Sequence, residues 1–139
     1  GVQTCALPIF TGCTVFKPNK KEASDALGMQ LNTPLEIERA GHALLTTLKC
    51  DNVLITLGAA GMMLIEKDGT LNSVPTRSMN VADVSGAGDT VIATLAAMMG
   101  AGASVREAAA LANIAAGHVV SEPGIVAITA NDLLTAIAS

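Results

Sequence analysis

The run Val53-Leu54-Ile55-Thr56-Leu57, bounded by Asp51-Asn52 and Gly58, limits the fold more than any other segment. It lacks polar and apolar alternation and is rich in branched side chains, so it reads as a strand buried on both faces. Both faces then need cover, and helical segments rich in small residues, suited to close packing on a sheet, are available. The fold class that follows is α/β and layered. A chain of 139 residues suffices for one hydrophobic core.

Local signals mark the other elements. Cys13 to Phe16 reads as a short strand leading to Lys17-Pro18. Asn19 and Glu22 have capping-box spacing, which predicts a helix to about Leu27. Thr33, Pro34 and Glu36 repeat that pattern, with proline in the first turn, and predict a helix from Pro34 to about Lys49. Its expected buried stripe is Leu35, Ile37, Leu44, Leu45 and Leu48. Met62 to Glu66 and Leu71 to Val74 flank Lys67-Asp68-Gly69-Thr70, whose Asp-Gly pair suits a hairpin turn. After a loop from Thr76 to Asn80, Val81 ends a short strand. An Ala-rich helix is expected from about Asp89 to Met99, with a break at Gly100 to Ala103. Ser104 and Glu107 cap a second helix reaching about Val120, and Thr129 with Asp132 opens a last one through Ile137.

Composition excludes several classes of function. Eight basic against twelve acidic residues give a net charge of -4, with no basic cluster to hold a phosphate backbone, and Trp and Tyr are absent. Nucleic acid is not an expected partner. Although 50% of residues are hydrophobic, each apolar run breaks before the roughly 20 residues that cross a bilayer. No membrane span is expected. Cys5, Cys13 and Cys50 make neither a close metal-ligand pair nor an even disulfide set, which points to a reducing cytoplasm. His42 and His118 have no ligand partners at metal spacing and are assigned to structure or surface; Met62, Met63, Met98 and Met99 are assigned to the core. Residues 1–9, GVQTCALPI, carry neither a targeting signal nor a strand pattern. They resemble the translation of a sequencing-library adapter, so a non-native segment is expected there, with residues 10–139 as the domain to be read.

The chemistry concentrates at Asp83-Val84-Ser85-Gly86-Ala87-Gly88-Asp89-Thr90. Small residues at 86 to 88 let successive backbone N–H groups converge, and the helix start that follows adds to their attraction for phosphate oxygens. Such a nest can also face charge that builds on a transferring phosphoryl group. Asp89 then stands beside an anion site, either as a base or simply as the acid that caps or favours the first helical turn. Asp83 has a comparable plain reading as a turn or strand-end residue.

That segment resembles the signature of the ribokinase-like (PfkB) family of carbohydrate and nucleoside kinases, with Ser85 where threonine is usual. Supporting matches follow in the family's order: Lys17-Pro18-Asn19 with Glu22, Thr56-Leu57-Gly58 with Gly61, the Gly-rich signature, and Asn113 within Leu111-Ala112-Asn113. The resemblance spans about Val15 to Ile137. It implies a ribokinase-like layered fold of which this chain is the C-terminal, nucleotide-binding half. It also implies ATP-dependent phosphoryl transfer to a sugar hydroxyl, with Asp89 as general base and Gly86, Ala87 and Gly88 as the anion hole. Asn19 and Glu22 would order Mg²⁺, although their capping box is a sufficient local reason for the pair. Thr56, Gly58 and Gly61 would lie along the nucleotide, and Asn113 beside adenine with Val74 and Pro75. Read alone, Thr56 to Gly61 is a strand and a turn, and Asn113 a solvent-facing or locally bonded residue. Asp83 would support a K⁺ site of the kind some family members use.

The runs from Asp89 to Leu95 and from Leu111 to Val120, followed by Ser121-Glu122-Pro123-Gly124, resemble the heptose 7-phosphate kinases of ADP-heptose synthesis in lipopolysaccharide inner-core assembly. That implies the anomeric hydroxyl of D-glycero-β-D-manno-heptose 7-phosphate as acceptor. Sugar-selecting residues would belong to an N-terminal half and a lid, so the isolated fragment is expected to be inactive, and a homodimer is the assembly open to the complete protein. Another sugar or nucleoside kinase, or a non-catalytic nucleotide-binding fragment, stands as the alternative. A dinucleotide-binding fingerprint fits worse, because Val91 replaces its third glycine and Ala108-Ala109-Ala110 offers no acid for a ribose.

Overall fold

A computed structural model describes residues 12–76, 87–121 and 129–138. The chain divides into two units, residues 1–58 with 62–73 and residues 59–61 with 74–139. In chain order the elements are β1 (Val15–Phe16), α1 (Lys20–Leu27), α2 (Pro34–Leu48), β2 (Asn52–Thr56), a 3-10 turn at Gly58–Ala60, β3 (Met62–Glu66), β4 (Leu71–Val74), α3 (Ala87–Gly100), α4 (Val105–Ser121) and α5 (Ala130–Ala138). Segments 1–9 and 77–86, and with them Val81, Asp83 and Gly86, lie outside the described residues.

In the first unit the strands follow the order β1-β2-β3-β4, with β1 parallel to β2 and β2 antiparallel to β3. Ala23 of α1, Leu31 of the connecting segment, and Ile37, Ala40, Leu44 and Leu48 of α2 are buried together with Val53, Ile55 and Ile65 of the sheet. The other face of β2 is also closed, since Leu54 is fully buried. This is the two-sided burial that the unalternating run requires. The buried stripe of α2 is Ile37, Ala40, Gly41, Leu44 and Leu48, a regular three- and four-residue spacing. Leu35, expected in that stripe, is 53% exposed. Large apolar residues misled the reading there, because small ones occupy the contact. A Cβ on Gly41 would collide with the Ile65 side chain, so its absence permits α2 to lie this close to β3.

Strand limits shift slightly from expectation. β2 begins at Asn52 because that side chain donates to the Thr14 carbonyl at 3.0 Å, which lets a polar residue enter the buried strand. It ends before Leu57, since Gly58 turns at φ 59 into the 3-10 turn. Regular β1 covers only Val15–Phe16 of the expected Cys13 to Phe16. The hairpin from β3 to β4 falls where Asp68-Gly69 predicts it, with the Thr70 N–H bonded to Asp68 Oδ1 at 2.8 Å.

In the second unit, α3 packs on α4 and α4 on α5. Val91, Thr94 and Leu95 of α3 are buried, as are Ala108, Ala109, Ala112 and Ala115 of α4. Alanine on that face lets the helices approach closely at little cost in side-chain entropy. Ser104 and Glu107 complete the expected reciprocal cap of α4, at 2.8 and 3.2 Å. Among the described residues, no helix is long and apolar enough to cross a membrane.

Candidate active site

The first unit supplies a corner at the carboxyl ends of its two parallel strands. Pro18 is buried, and its carbonyl accepts the Thr56 N–H at 3.0 Å; Asn19 and Thr56 form a parallel bridge. The chain then enters α1 at once. Asn19 Oδ1 accepts the Glu22 N–H at 2.8 Å, and Glu22 Oε2 accepts the Asn19 N–H at 2.8 Å. The local reading of this pair as a capping box is therefore realised, and the same bonds hold both oxygen-bearing side chains at the exposed start of a helix. Carboxyl ends of parallel strands beside a helix N-terminus favour anionic ligands in open α/β sheets. Thr56, Asn19 and Glu22 are thus brought together, with Gly58 two residues beyond the strand end.

The second unit has a joint of different construction. Gly61 has φ 90, and a Cβ there would strike the Val74 carbonyl oxygen and stand 3.0 Å from the Pro75 Cα. Asn113, in the middle of α4, is 6% exposed, and its Nδ2 donates to the Pro75 carbonyl at 2.8 Å. The solvent-facing reading of Asn113 is wrong: an amide here satisfies a carbonyl at a position where strand pairing has ended. Gly61, Val74, Pro75 and Asn113 are one cluster.

Asp89 lies in the first turn of α3, exposed to solvent directly after the exposed Gly88. The first turn of a helix favours negative charge. Ala87 begins that helix. Of the remaining candidates, His42 stands on α2 with Nε2 3.9 Å from Glu38 Oε1. Among the described residues, no group of three or more His, Cys, Asp or Glu could hold a metal ion.

A carbohydrate-kinase model, described as "pfkB family carbohydrate kinase", matches residues 2–131. The chain belongs to that family. Among pfkB relatives, the bifunctional protein HldE of Paramagnetospirillum magneticum is 40% identical over 129 residues, covering 93% of this chain and 26% of the relative. HldE of Caulobacter vibrioides is 45% identical over 131 residues, covering 94% and 27%. The chain thus spans about a quarter of the length of these relatives. Phosphofructokinase-2 from Escherichia coli, solved with potassium, superposes with a TM-score of 0.86 at 21% identity, covering 97% of this chain and 43% of that one. Arabidopsis thaliana ribokinase, solved with ribose and ATP, gives 0.81 at 27% identity, covering 88% and 40%. The ribokinase-like layered fold read from the signature is the fold of this pfkB chain.

Sequence reasoning missed two features near these residues. Thr94 Oγ1 returns its hydrogen bond to the Thr90 carbonyl at 2.7 Å, which lets a hydroxyl be buried in α3. The other is the placement of Cys13 opposite Cys50, set by the parallel register of Val15 with Asn52 and by the Asp51 N–H bonded to the Cys13 carbonyl. Their sequence separation hid them, and only the parallel pairing of β1 and β2 sets them side by side.

Proposed function

We propose that this chain is the nucleotide-binding, catalytic part of an ATP-dependent carbohydrate kinase. The observation that carries the reading is Asp89, exposed in the first turn of α3 at the end of the family's Gly-rich signature. In this reading the sugar hydroxyl gives its proton to Asp89 as its oxygen attacks the γ-phosphorus. The bond from that phosphorus to the bridging oxygen breaks, and ADP leaves with the electron pair. Backbone N–H groups of Gly86, Ala87 and Gly88 face the charge on the transferred group.

Thr56 and Gly58 would contact the nucleotide, as the family resemblance implies. Gly61, Val74, Pro75 and Asn113 serve the adenine side. Since Asn113 Nδ2 is committed to the Pro75 carbonyl, this residue acts by fixing the Val74-Pro75 backbone. Asn19 and Glu22 would hold Mg²⁺ and its waters. Their hard oxygen donors suit that ion, and each needs only one lone pair for the capping box. When bound, Mg²⁺ offsets phosphate charge. Asp83 would support K⁺.

The acceptor we propose is D-glycero-β-D-manno-heptose 7-phosphate at its anomeric hydroxyl. The runs Asp89 to Leu95 and Leu111 to Val120 support this, as does identity of 40% and 45% to HldE proteins. The ribokinase solved with ribose and ATP keeps a different sugar as the second reading. Residues that hold the sugar would lie in a further half of a cytoplasmic, homodimeric protein, so these 139 residues alone would bind nucleotide without efficient turnover. Asp89→Asn in the full-length protein tests the central assignment. Nucleotide affinity should stay within several-fold while single-turnover transfer falls by about 10² or more. An unchanged transfer rate would remove Asp89 as the base.

A further inference from the structure

Cys13 and Cys50 occupy partner positions in one parallel register. Val15 lies opposite Asn52 and Phe16 opposite Val53, and Asn19 opposite Thr56 keeps the same offset. Toward the other end, the Asp51 N–H donates to the Cys13 carbonyl at 3.1 Å and the Gly12 N–H to the Leu48 carbonyl at 2.8 Å. A parallel ladder with that offset makes these two bonds, so it continues past the regular strands and sets Cys13 against Cys50. Neighbouring strands lie about 4.8 Å apart, inside the Cα separation of about 4.4 to 6.8 Å that a disulfide spans. Both thiols are free. Asn52 Nδ2, bonded to the Thr14 carbonyl at 3.0 Å, resists slippage of the pair.

The two sulfurs differ in access. Cys13 is half-buried, whereas Cys50 is 3% exposed and borders an open cavity of about 360 Å³ beside His42, Lys49 and Lys67. Burial pushes the Cys50 thiol up to about 11. Exchange therefore begins at Cys13.

We propose that Cys13 and Cys50 form a redox-active dithiol that closes to an intrachain disulfide by exchange with a small-molecule disulfide. The Cys13 thiolate attacks one sulfur of the reagent and expels one small thiolate, leaving a mixed disulfide on Cys13. Cys50 gives its proton to water from the cavity, attacks Cys13 Sγ and expels the second small thiolate. The protein loses two protons and two electrons, and the reagent is reduced to two thiols. Closure staples β1 to β2 at the end of the pair away from Asn19 and Thr56. It modifies the stability of the first unit without touching its nucleotide-side corner.

The test uses full-length protein, folded by circular dichroism, incubated with oxidised glutathione, then alkylated after denaturation and mapped without reduction. We expect a peptide pair joining Cys13 to Cys50 and a thermal midpoint raised by roughly 5 °C or more, both reversed by dithiothreitol. Cys13→Ser and Cys50→Ser should keep the reduced protein's spectrum and lose the shift. Three results would overturn the proposal: both thiols still alkylated after equilibration, glutathione retained on Cys13 without closure, or equal cross-linking in urea-unfolded protein. The last would mean that strand register does not direct the pairing.

Discussion

The corner at Asn19 and the joint at Asn113 are built by opposite means. At the corner, the bonds that orient Asn19 and Glu22 join residues three apart, and a short helix carries them. At the joint, Gly61, Pro75 and Asn113 meet from distant parts of the chain, and the bond from Asn113 to Pro75 spans 38 positions. A local cap forms wherever its helix forms, whereas a long-range joint exists only after its unit has packed. The corner should therefore tolerate substitution, with small independent losses, and the joint should fail as a whole.

Gly61→Val is the severest way to break that contrast. It places a branched side chain at φ 90 against the Val74 carbonyl, where backbone must move. We expect a loss of about 3 kcal/mol or more in denaturant unfolding, together with weakened nucleotide binding. A near-neutral result would mean that the joint relaxes freely and is no tighter than the corner.

Asn113→Ala sharpens the comparison at one bond. It removes the Nδ2 donor of a part-buried bond to the exposed Pro75, at a cost of about 0.5 to 1.5 kcal/mol. If nucleotide affinity falls with stability, the amide positions the loop. If stability is unchanged, another group satisfies that carbonyl.

The smallest effect belongs to a local cap of the first unit. Backbone N–H bonds from Asn32 and Thr33 hold the Glu36 carboxyl below its ordinary 4.5. A carboxylate depressed in the folded state stabilises the fold above its unfolded value and loses that contribution as pH falls through the folded one. Unfolding titrations should thus show a modest fall in stability below about pH 4.5, reduced in Glu36→Gln. An identical acid limb in the variant would show that this cap does not contribute to the pH dependence.

The same contrast explains what the sequence made legible. Caps at Asn19, Thr33 and Ser104, and the Asp68-Gly69 hairpin, depend on residues a few positions apart, so their chemistry is written locally. The Val53 to Leu57 run announced two-sided burial, though the strand took in Asn52 because a distant carbonyl receives its amide. Leu35 failed because side-chain size, not helical phase, dominated the reading of α2. Asn113 and the pair Cys13 and Cys50 depend on which strands and helices become neighbours. Those partners are fixed by topology and leave no local mark.

The central claim is most directly tested by supplying full-length protein with Mg-ATP and D-glycero-β-D-manno-heptose 7-phosphate and following the products by ³¹P NMR. Our account predicts one new sugar phosphate at the anomeric oxygen for each ADP formed, with transfer suppressed by Asp89→Asn. ATP consumed without a phosphorylated sugar, or anomeric transfer unaffected by that substitution, would contradict it.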